Sequence, residues 1–397
     1  MHISTLRDQF PALTPPAAIY LDSAATAHKP QVVLDAIQDV YRHSANVHRG
    51  THKQSADLTT RFEQARVDVQ HFLHARYPQE IIWTRGATEA LNLIAQSYAR
   101  SQLQQGERIL VSEMEHHANI VPWQMVAEQT GAELVKIPML ADCTIDMDAY
   151  HQLLAQGAAL VAIAHVTNVT GTRLPIEEMI SAAHAAGAVV VVDGAQGIVH
   201  ESVDVQALDA DFYVFSGHKL FGPTGIGVLY GKKALLDAMP PWHGGGKMVE
   251  RVSFAGTTYT DLPGKFEAGT PNIAGAIGLA AAINWLQHLD RAAIEAHLHQ
   301  LTDKAICALS QLDDVRILGR QANSSTFSFV IDGVHYQDIA MLLDQQNIAV
   351  RAGTHCAHPL CDALNVAGTI RVSFALYNTE QDVDHFIAAM IKACDLL

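Results

Sequence analysis

No Cys-x-x-Cys pair occurs among the five cysteines, Cys143, Cys307, Cys356, Cys361 and Cys394. An odd number of thiols in a chain this long also needs no disulfide framework, so a reducing compartment is expected. Runs of lysine and arginine are missing as well. The 26 basic residues against 41 acidic ones leave a formal net charge of -15, which repels phosphate backbones and anionic lipid, so neither a nucleic-acid nor a membrane partner is expected. The 22 histidines qualify that balance, since protonating them near pH 6 would cancel most of it. No apolar stretch, residues 274–283 included, is long enough to cross a bilayer. The opening residues, Met1 to Pro16, have no basic start followed by an apolar core, so no secretory signal is predicted and the expected location is cytoplasmic. The 26 glycines and 14 prolines form no repeat, and 49% hydrophobic residues exclude a disordered chain. What remains is a globular protein of 397 residues, enough for one large domain and a smaller one.

Familiar nucleotide and metal signatures are absent too. The run Gly244-Gly-Gly-Lys247 is followed by Met248 and lacks the upstream glycine of a P-loop, and Gly222, Gly225 and Gly227 have the wrong spacing for a dinucleotide fingerprint. No His-Glu-x-x-His or zinc-ligand spacing occurs, so no metal is expected. The sequons at Asn168 and Asn323 read as chance matches in a chain not expected to be secreted.

What is present is an alternation. Short apolar runs at 81–84, 108–112, 160–166, 188–192, 212–215 and 226–230 alternate with helical patterns, which predicts a mostly parallel sheet covered on both faces. After Gly86, the spacing of Leu91, Ile94, Ala95 and Tyr98 predicts a helix, with Glu89 in its first turn. The stretch 244–275 lacks periodicity and reads as a long functional loop. Beyond Ile277, long helices, strands at 326–331, 348–351 and 370–374, and a last helix with Val383, Phe386, Ile387, Met390 and Cys394 on one face read as an α+β domain.

Three constellations carry chemistry. Asp193 ends the valine-rich run 188–192, where ligands collect in open α/β sheets; a desolvated carboxylate there wants a cation, although taken alone it reads more readily as a cap on the next turn. Lys219, in Ser216-Gly-His218-Lys219, follows the next run. Near apolar surface a lysine has a depressed pKa and forms an imine readily, though it could also be a turn lysine facing water. Together, an aspartate for a pyridinium nitrogen and a lysine for a Schiff base are what pyridoxal 5'-phosphate requires. Gly86-Ala-Thr88 at the helix start offers N–H groups and a hydroxyl to its phosphate, or simply caps the helix. In the third, Cys356 directly follows His355 near Arg351, in a loop marked by Gly353 and Pro359, which suits an exposed nucleophile; the other four cysteines read as inert core. Arg371 lies inside an apolar strand and needs an anion, either an internal carboxylate or that of a substrate. Asn168 could orient the same carboxylate or form a turn.

With Tyr20-Leu-Asp-Ser-Ala-Ala-Thr26, Asn46-Val-His-Arg-Gly50, Thr84-Arg-Gly-Ala-Thr-Glu89, Glu115-His-His-Ala-Asn-Ile-Val-Pro-Trp123, Thr167-Asn-Val-Thr-Gly171, Val192-Asp-Gly-Ala-Gln196 and Glu267-Ala-Gly-Thr-Pro-Asn272 in the same order, these motifs resemble the class V aminotransferase group of fold-type I pyridoxal-phosphate enzymes. Within it the chain resembles the Suf/Csd-type, group II, cysteine desulfurases. The resemblance implies a large α/β domain with a mostly parallel, seven-stranded-type sheet over residues 21–285. It also implies a smaller C-terminal α+β domain at 286–397 carrying the Cys356 loop, and residues 1–20 packing with that domain. It implies Lys219 as Schiff-base lysine and later base, Asp193 on the ring nitrogen, Gln196 on the ring hydroxyl, and His116 stacked on the ring. Thr88, Ser216 and His218 would hold the phosphate, and Thr270 would reach the partner's cofactor in a homodimer. Arg371 and Asn168, with Arg351 near the mobile loop, would take the substrate carboxylate. The implied reaction turns L-cysteine into L-alanine, with sulfur passing as a Cys356 persulfide to a small acceptor protein in iron–sulfur or related metabolism. Selenocysteine lyase, cysteine sulfinate desulfinase and ordinary class V aminotransferase activity are the rival readings. Cys361 either relays the persulfide or packs. Thr354 and His358 fill loop positions that vary in the family and leave the acceptor preference open.

Overall fold

The computed structural model describes residues 6–319 and 324–396, so Asn323 of the second sequon lies outside the described residues. Strands β1 (Ile81–Thr84), β2 (Arg108–Ser112), β3 (Glu133–Ile137), β4 (Leu160–Ala164), β5 (Val189–Asp193), β6 (Phe212–Ser216) and β7 (Gly227–Gly231) form one sheet in the order β1-β7-β6-β5-β4-β2-β3. Only β7 runs against its neighbours, so the sheet is mixed, with all its other pairings parallel. Its valines and isoleucines are buried on both faces. Val161, Ile163, Val190 and Val192 join one apolar cluster, while Leu160, Ala162 and Val191 join another across the sheet. That is why these strands read as continuous apolar runs, although side chains alternate between the faces.

Strand β3 is the exception. It pairs only with β2 at the sheet edge, and its Glu133 and Lys136 face water, which interrupts the apolar run and conceals the strand in the sequence. The helix after Gly86 spans Ala87–Leu93 and continues through a π-helical segment, Ile94–Ala99. Leu91, Ile94 and Ala95 are buried as the spacing predicts. The stretch 244–275 is less irregular than expected: it holds an antiparallel hairpin, β8 (Val249–Ser253) and β9 (Gly256–Tyr259). Neither face of the hairpin is buried, so no period-two pattern marks it, and Phe254 at its turn is fully exposed.

A second sheet follows, all antiparallel, in the order β10 (Val315–Leu318), β11 (Thr326–Ile331), β13 (Thr369–Ser373), β12 (Arg351–Gly353). Helices Arg291–Leu309, Tyr336–Asp344 and Glu380–Cys394 cover it through Leu301, Ile339, Phe386 and Met390, packed with Phe327, Phe329, Ile370 and Val372. The strand expected over 348–351 is split, because Ile348–Ala349 pairs in parallel with Ile19–Tyr20 instead. Leu6, Phe10 and Leu13 lie in one cluster with Phe221, Leu376 and Tyr377.

All five cysteines are free. Cys143 and Cys361 are buried and Cys394 is partly so, but Cys307, expected in the core, is exposed on its helix. Among the described residues no helix is long and apolar enough to cross a membrane, and no cluster of three or more metal-ligating side chains occurs.

Candidate active site

The parallel strands end at one edge of the large sheet. Asp193 is the last residue of β5, Ser216 the last of β6 with His218 and Lys219 beyond it, and the segment after β4 carries Asn168. The loops after β1 and β2 bring up Thr88 and His116, while Arg351 and Arg371 come from the second sheet. These nine side chains and Gln196 line one cavity of about 180 Å³.

The end of the cavity beside β1 is shaped for an anion. Ala87 N–H, at the helix start, donates to Ser216 Oγ at 2.8 Å, which leaves the Ser216 hydroxyl proton free to point elsewhere. Glycine is required where β7 passes this loop, because a Cβ on Gly227 would lie 2.4 Å from the Gly86 Cα. The middle of the cavity is tuned by burial. Desolvation pushes the Lys219 amine down to about 8, opposed by the charge of Asp193 and assisted by Arg371 and Arg351. Burial raises the Asp193 carboxyl, against Lys219 and against Ala195 N–H, which donates to its Oδ1 at 2.9 Å. His116 and His218 are each held at about 4, mainly by burial and then by Lys219, so both are neutral near pH 7. Ala118 N–H donates to His116 Nδ1 at 3.0 Å, which places the proton of the neutral ring on Nε2. Gln196 spends its Nε2 on the Ala24 carbonyl at 2.8 Å and keeps its oxygen available.

At the other end two cations meet. Arg351 in β12 stands directly opposite Arg371 in β13, a cross-strand pairing of like charge that is unfavourable without an anion. Arg371 is buried; its Nη2 donates to Asp22 Oδ1 and its Nη1 to the Asn168 carbonyl, both at 2.9 Å, while Nε has no partner among the described residues. The internal carboxylate left open by the sequence is therefore Asp22. Asn168 uses its Nδ2 on the His355 carbonyl at 2.8 Å, and its buried Oδ1 is unpaired. Unsatisfied buried donors and acceptors beside a cavity are costly unless something binds there.

Two expected residues stand off the wall. Cys356 is partly exposed in a loop where both His355 (φ 52°) and Cys356 (φ 55°) are left-handed, though a Cys356 thiolate is near enough to bear on the Lys219 amine. Thr270 is exposed and outside the cavity. Its loop is pinned by Glu267, which forms a bidentate buried pair with Arg66 at 2.7 and 3.0 Å and accepts the Trp83 N–H. Asp22, His117 and Glu115 also belong to this region. Glu115 is fully buried, accepts Ala164 N–H and Asn119 Nδ2 at 2.8 and 2.7 Å, and is pushed up to about 8 by burial. All three lie inside the motifs quoted from the sequence, but only the tertiary contacts show what they touch.

A seven-stranded mixed sheet, a lysine beyond β6, an aspartate ending β5 and an arginine-lined cavity against an antiparallel second sheet define a fold-type I enzyme framework. The chain belongs to the aminotransferase class-V family, whose model matches residues 19–386. Within that family it stands among the cysteine desulfurases. It is 66% identical over its whole length to a probable cysteine desulfurase of Vibrio cholerae that it also covers completely. The crystal structure of the cysteine desulfurase CsdA of Escherichia coli, in an S-sulfonic acid form, superposes with a TM-score of 0.95 at 50% identity, covering 100% of this chain and 99% of that one. An apo cysteine desulfurase from Thermococcus onnurineus gives 0.96 at 37% identity, with 100% and 99% covered.

Proposed function

We propose that this protein is a cysteine desulfurase that uses pyridoxal 5'-phosphate to convert L-cysteine into L-alanine and passes the sulfur on as a Cys356 persulfide. The observation that carries the reading is the single cavity holding Lys219, Asp193, His116 and the phosphate-side groups at one end and the Arg351–Arg371 pair at the other. The residues present fit the cofactor. Asp193 would take the ring nitrogen, Gln196 the ring hydroxyl and the flat neutral ring of His116 one face; Thr88, Ser216 and His218 would donate to the phosphate. When bound, the cofactor supplies a carbonyl for the substrate amine and an electron sink for the bonds at its α-carbon.

The chain's own residues do the rest. Lys219, with its amine held near 8, has a usable neutral fraction at pH 7 and can take the α-proton at Nζ and return it. The half-exposed Arg351 and the spare Nε of Arg371 would hold the substrate carboxylate, with Asn168 beside them. Cys356, as thiolate, attacks the substrate sulfur. The substrate C–S bond breaks, an S–S bond forms and a proton completes the methyl group of alanine. The sum is L-cysteine plus Cys356–SH giving L-alanine plus Cys356–S–SH, with no outside oxidant.

The partial exposure of Cys356 suits delivery to a small acceptor protein in iron–sulfur cluster or related sulfur metabolism, and five free thiols suit the cytoplasm. Thr270, outward on a pinned loop, suits a homodimer in which it reaches the partner's cofactor. Our reading of the division is a cofactor-binding unit over 21–285 and a Cys-loop unit over 286–397, although Ala357 and Leu360 of the Cys loop pack into the large-sheet cluster and Leu21 into that of the second sheet. The position of Cys356 off the cavity wall favours a second reading, turnover of selenocysteine or cysteine sulfinate, which depends less on that thiol. The test is mass spectrometry of the cofactor-loaded protein after brief exposure to cysteine without reductant, with alanine assayed in parallel. One added sulfur on the Cys356 peptide together with alanine is expected. Alanine absent and Cys356 unmodified would send the search to the other two substrates or to aminotransferase chemistry.

A further inference from the structure

The Cys356 loop is held in an unusual backbone conformation by contacts that converge on one side chain. His355 and Cys356 are consecutive non-glycine residues with φ of 52° and 55°, a pairing that persists only where surrounding contacts enforce it. Asn168 Nδ2 holds the His355 carbonyl at 2.8 Å, and His117 N–H holds the Cys356 carbonyl at 2.7 Å. The imidazole of His117 then reaches past Cys356. Its Nε2 lies 3.1 Å from His358 N and 3.0 Å from His358 Nδ1, and the two rings stack with centroids 4.7 Å apart at 22°. One lone pair on Nε2 therefore faces two donors, which sets a neutral His117 with its proton on Nδ1 and a His358 with its proton on Nδ1. His117 is also the chain neighbour of His116, which lines the cavity.

We propose that His117 is a positioning residue: its imidazole latches the Cys356 loop, through His358, to the segment that carries His116, and so sets where the Cys356 sulfur stands relative to the substrate sulfur. This rests on the desulfurase reading and deepens it. His117→Ala keeps the backbone bond to Cys356 but removes the acceptor for His358, so the loop samples other conformations. The latch bears on the thiol and not on the cofactor end of the site.

The test compares two reactions of the same cofactor-loaded enzyme: cysteine to alanine, which uses Cys356, and cysteine sulfinate to alanine and sulfite, which does not need the thiolate attack. In His117→Ala, kcat for cysteine should fall about tenfold, equivalent to about 1.4 kcal/mol, with cysteine sulfinate turnover kept within about twofold. Iodoacetamide should also alkylate Cys356 faster. His117→Gln, whose side-chain oxygen can accept His358 N–H, should restore most of the loss. His358→Ala, at an exposed position, should give a smaller loss of the same kind. Equal losses on both substrates, no loss on cysteine, or no rescue by glutamine would overturn the latch. Cys356→Ser run alongside separates the two levels. If it retains cysteine turnover, the persulfide reading fails and the latch with it; if it loses that turnover while His117→Ala does not, only the latch fails.

Discussion

Lys219 and Asp193 were legible as residues because each follows a strand whose apolar run announces itself, and strand ends are where α/β sheets place ligands. Their tuning was half legible: burial beside valines implies desolvation, but Arg351 and Arg371 push on Lys219 from a different sheet. Replacing Lys219 with alanine should lower cysteine turnover by about 10²–10⁴-fold, the usual worth of a placed proton-transfer group. The protein should still bind the cofactor non-covalently, visible as a changed absorbance maximum. Arg351→Ala should raise KM for cysteine about tenfold to a hundredfold, as expected for losing a charged hydrogen bond to a carboxylate. Without substrate it should leave unfolding stability unchanged or slightly higher, because Arg351 has no hydrogen-bond or ion-pair partner among the described residues and its loss relieves the repulsion with Arg371; a lower stability with unchanged KM would contradict that assignment. The partner of Arg371 was not legible. Asp22 lies 349 positions away in the chain, and only the fold brings its Oδ1 to 2.9 Å.

Among elements, the ones that packing buries on both sides could be read, and the ones facing water could not. Strands β1, β2 and β11 begin and end where their apolar runs do; β3, β10 and the exposed hairpin carry no such pattern. The Glu267 loop shows what an element needs beyond pattern. Its carboxylate and Arg66 are both buried, and breaking such a pair leaves an uncompensated charge inside the protein. Glu267→Gln should therefore cost about 3–5 kcal/mol in urea unfolding, and a loss below about 1 kcal/mol would mean that water reaches Arg66. Glu115 has the opposite signature. Burial raises its carboxyl to about 8 from an ordinary 4.5, so between those values the folded chain binds a proton that the unfolded chain has released. Stability from this group then falls as pH rises through that window. Glu115→Gln should flatten the slope of unfolding free energy between pH 5 and pH 8, and an unchanged slope would show that Glu115 is already ionised.

For the whole molecule, the site is assembled from both sheets, so neither half suffices: the large sheet supplies Lys219 and Asp193, the smaller one Arg351, Arg371 and the Cys356 loop. Thr270 extends the argument to a second copy. If it completes the partner's site, mixing an inactive Lys219→Ala chain with an inactive Thr270→Arg chain should restore activity, to ~25% of wild type after random exchange, since one site in each mixed dimer is then intact. No recovery in mixtures shown to exchange subunits would place Thr270 in the site of its own chain.

What the sequence by itself determined is the framework: an alternating α/β chain, strand-end residues suited to one cofactor, and a cysteine in an exposed loop. These are local properties, set by apolar periodicity and by the chemistry of neighbours along the chain. Tertiary structure alone decided which charges face each other, that Arg371 is neutralised by Asp22, that Cys356 stands off the cavity wall, and that His117 grips its loop. Each of these is a contact between segments far apart in sequence, and no periodicity along the chain encodes a distance across it.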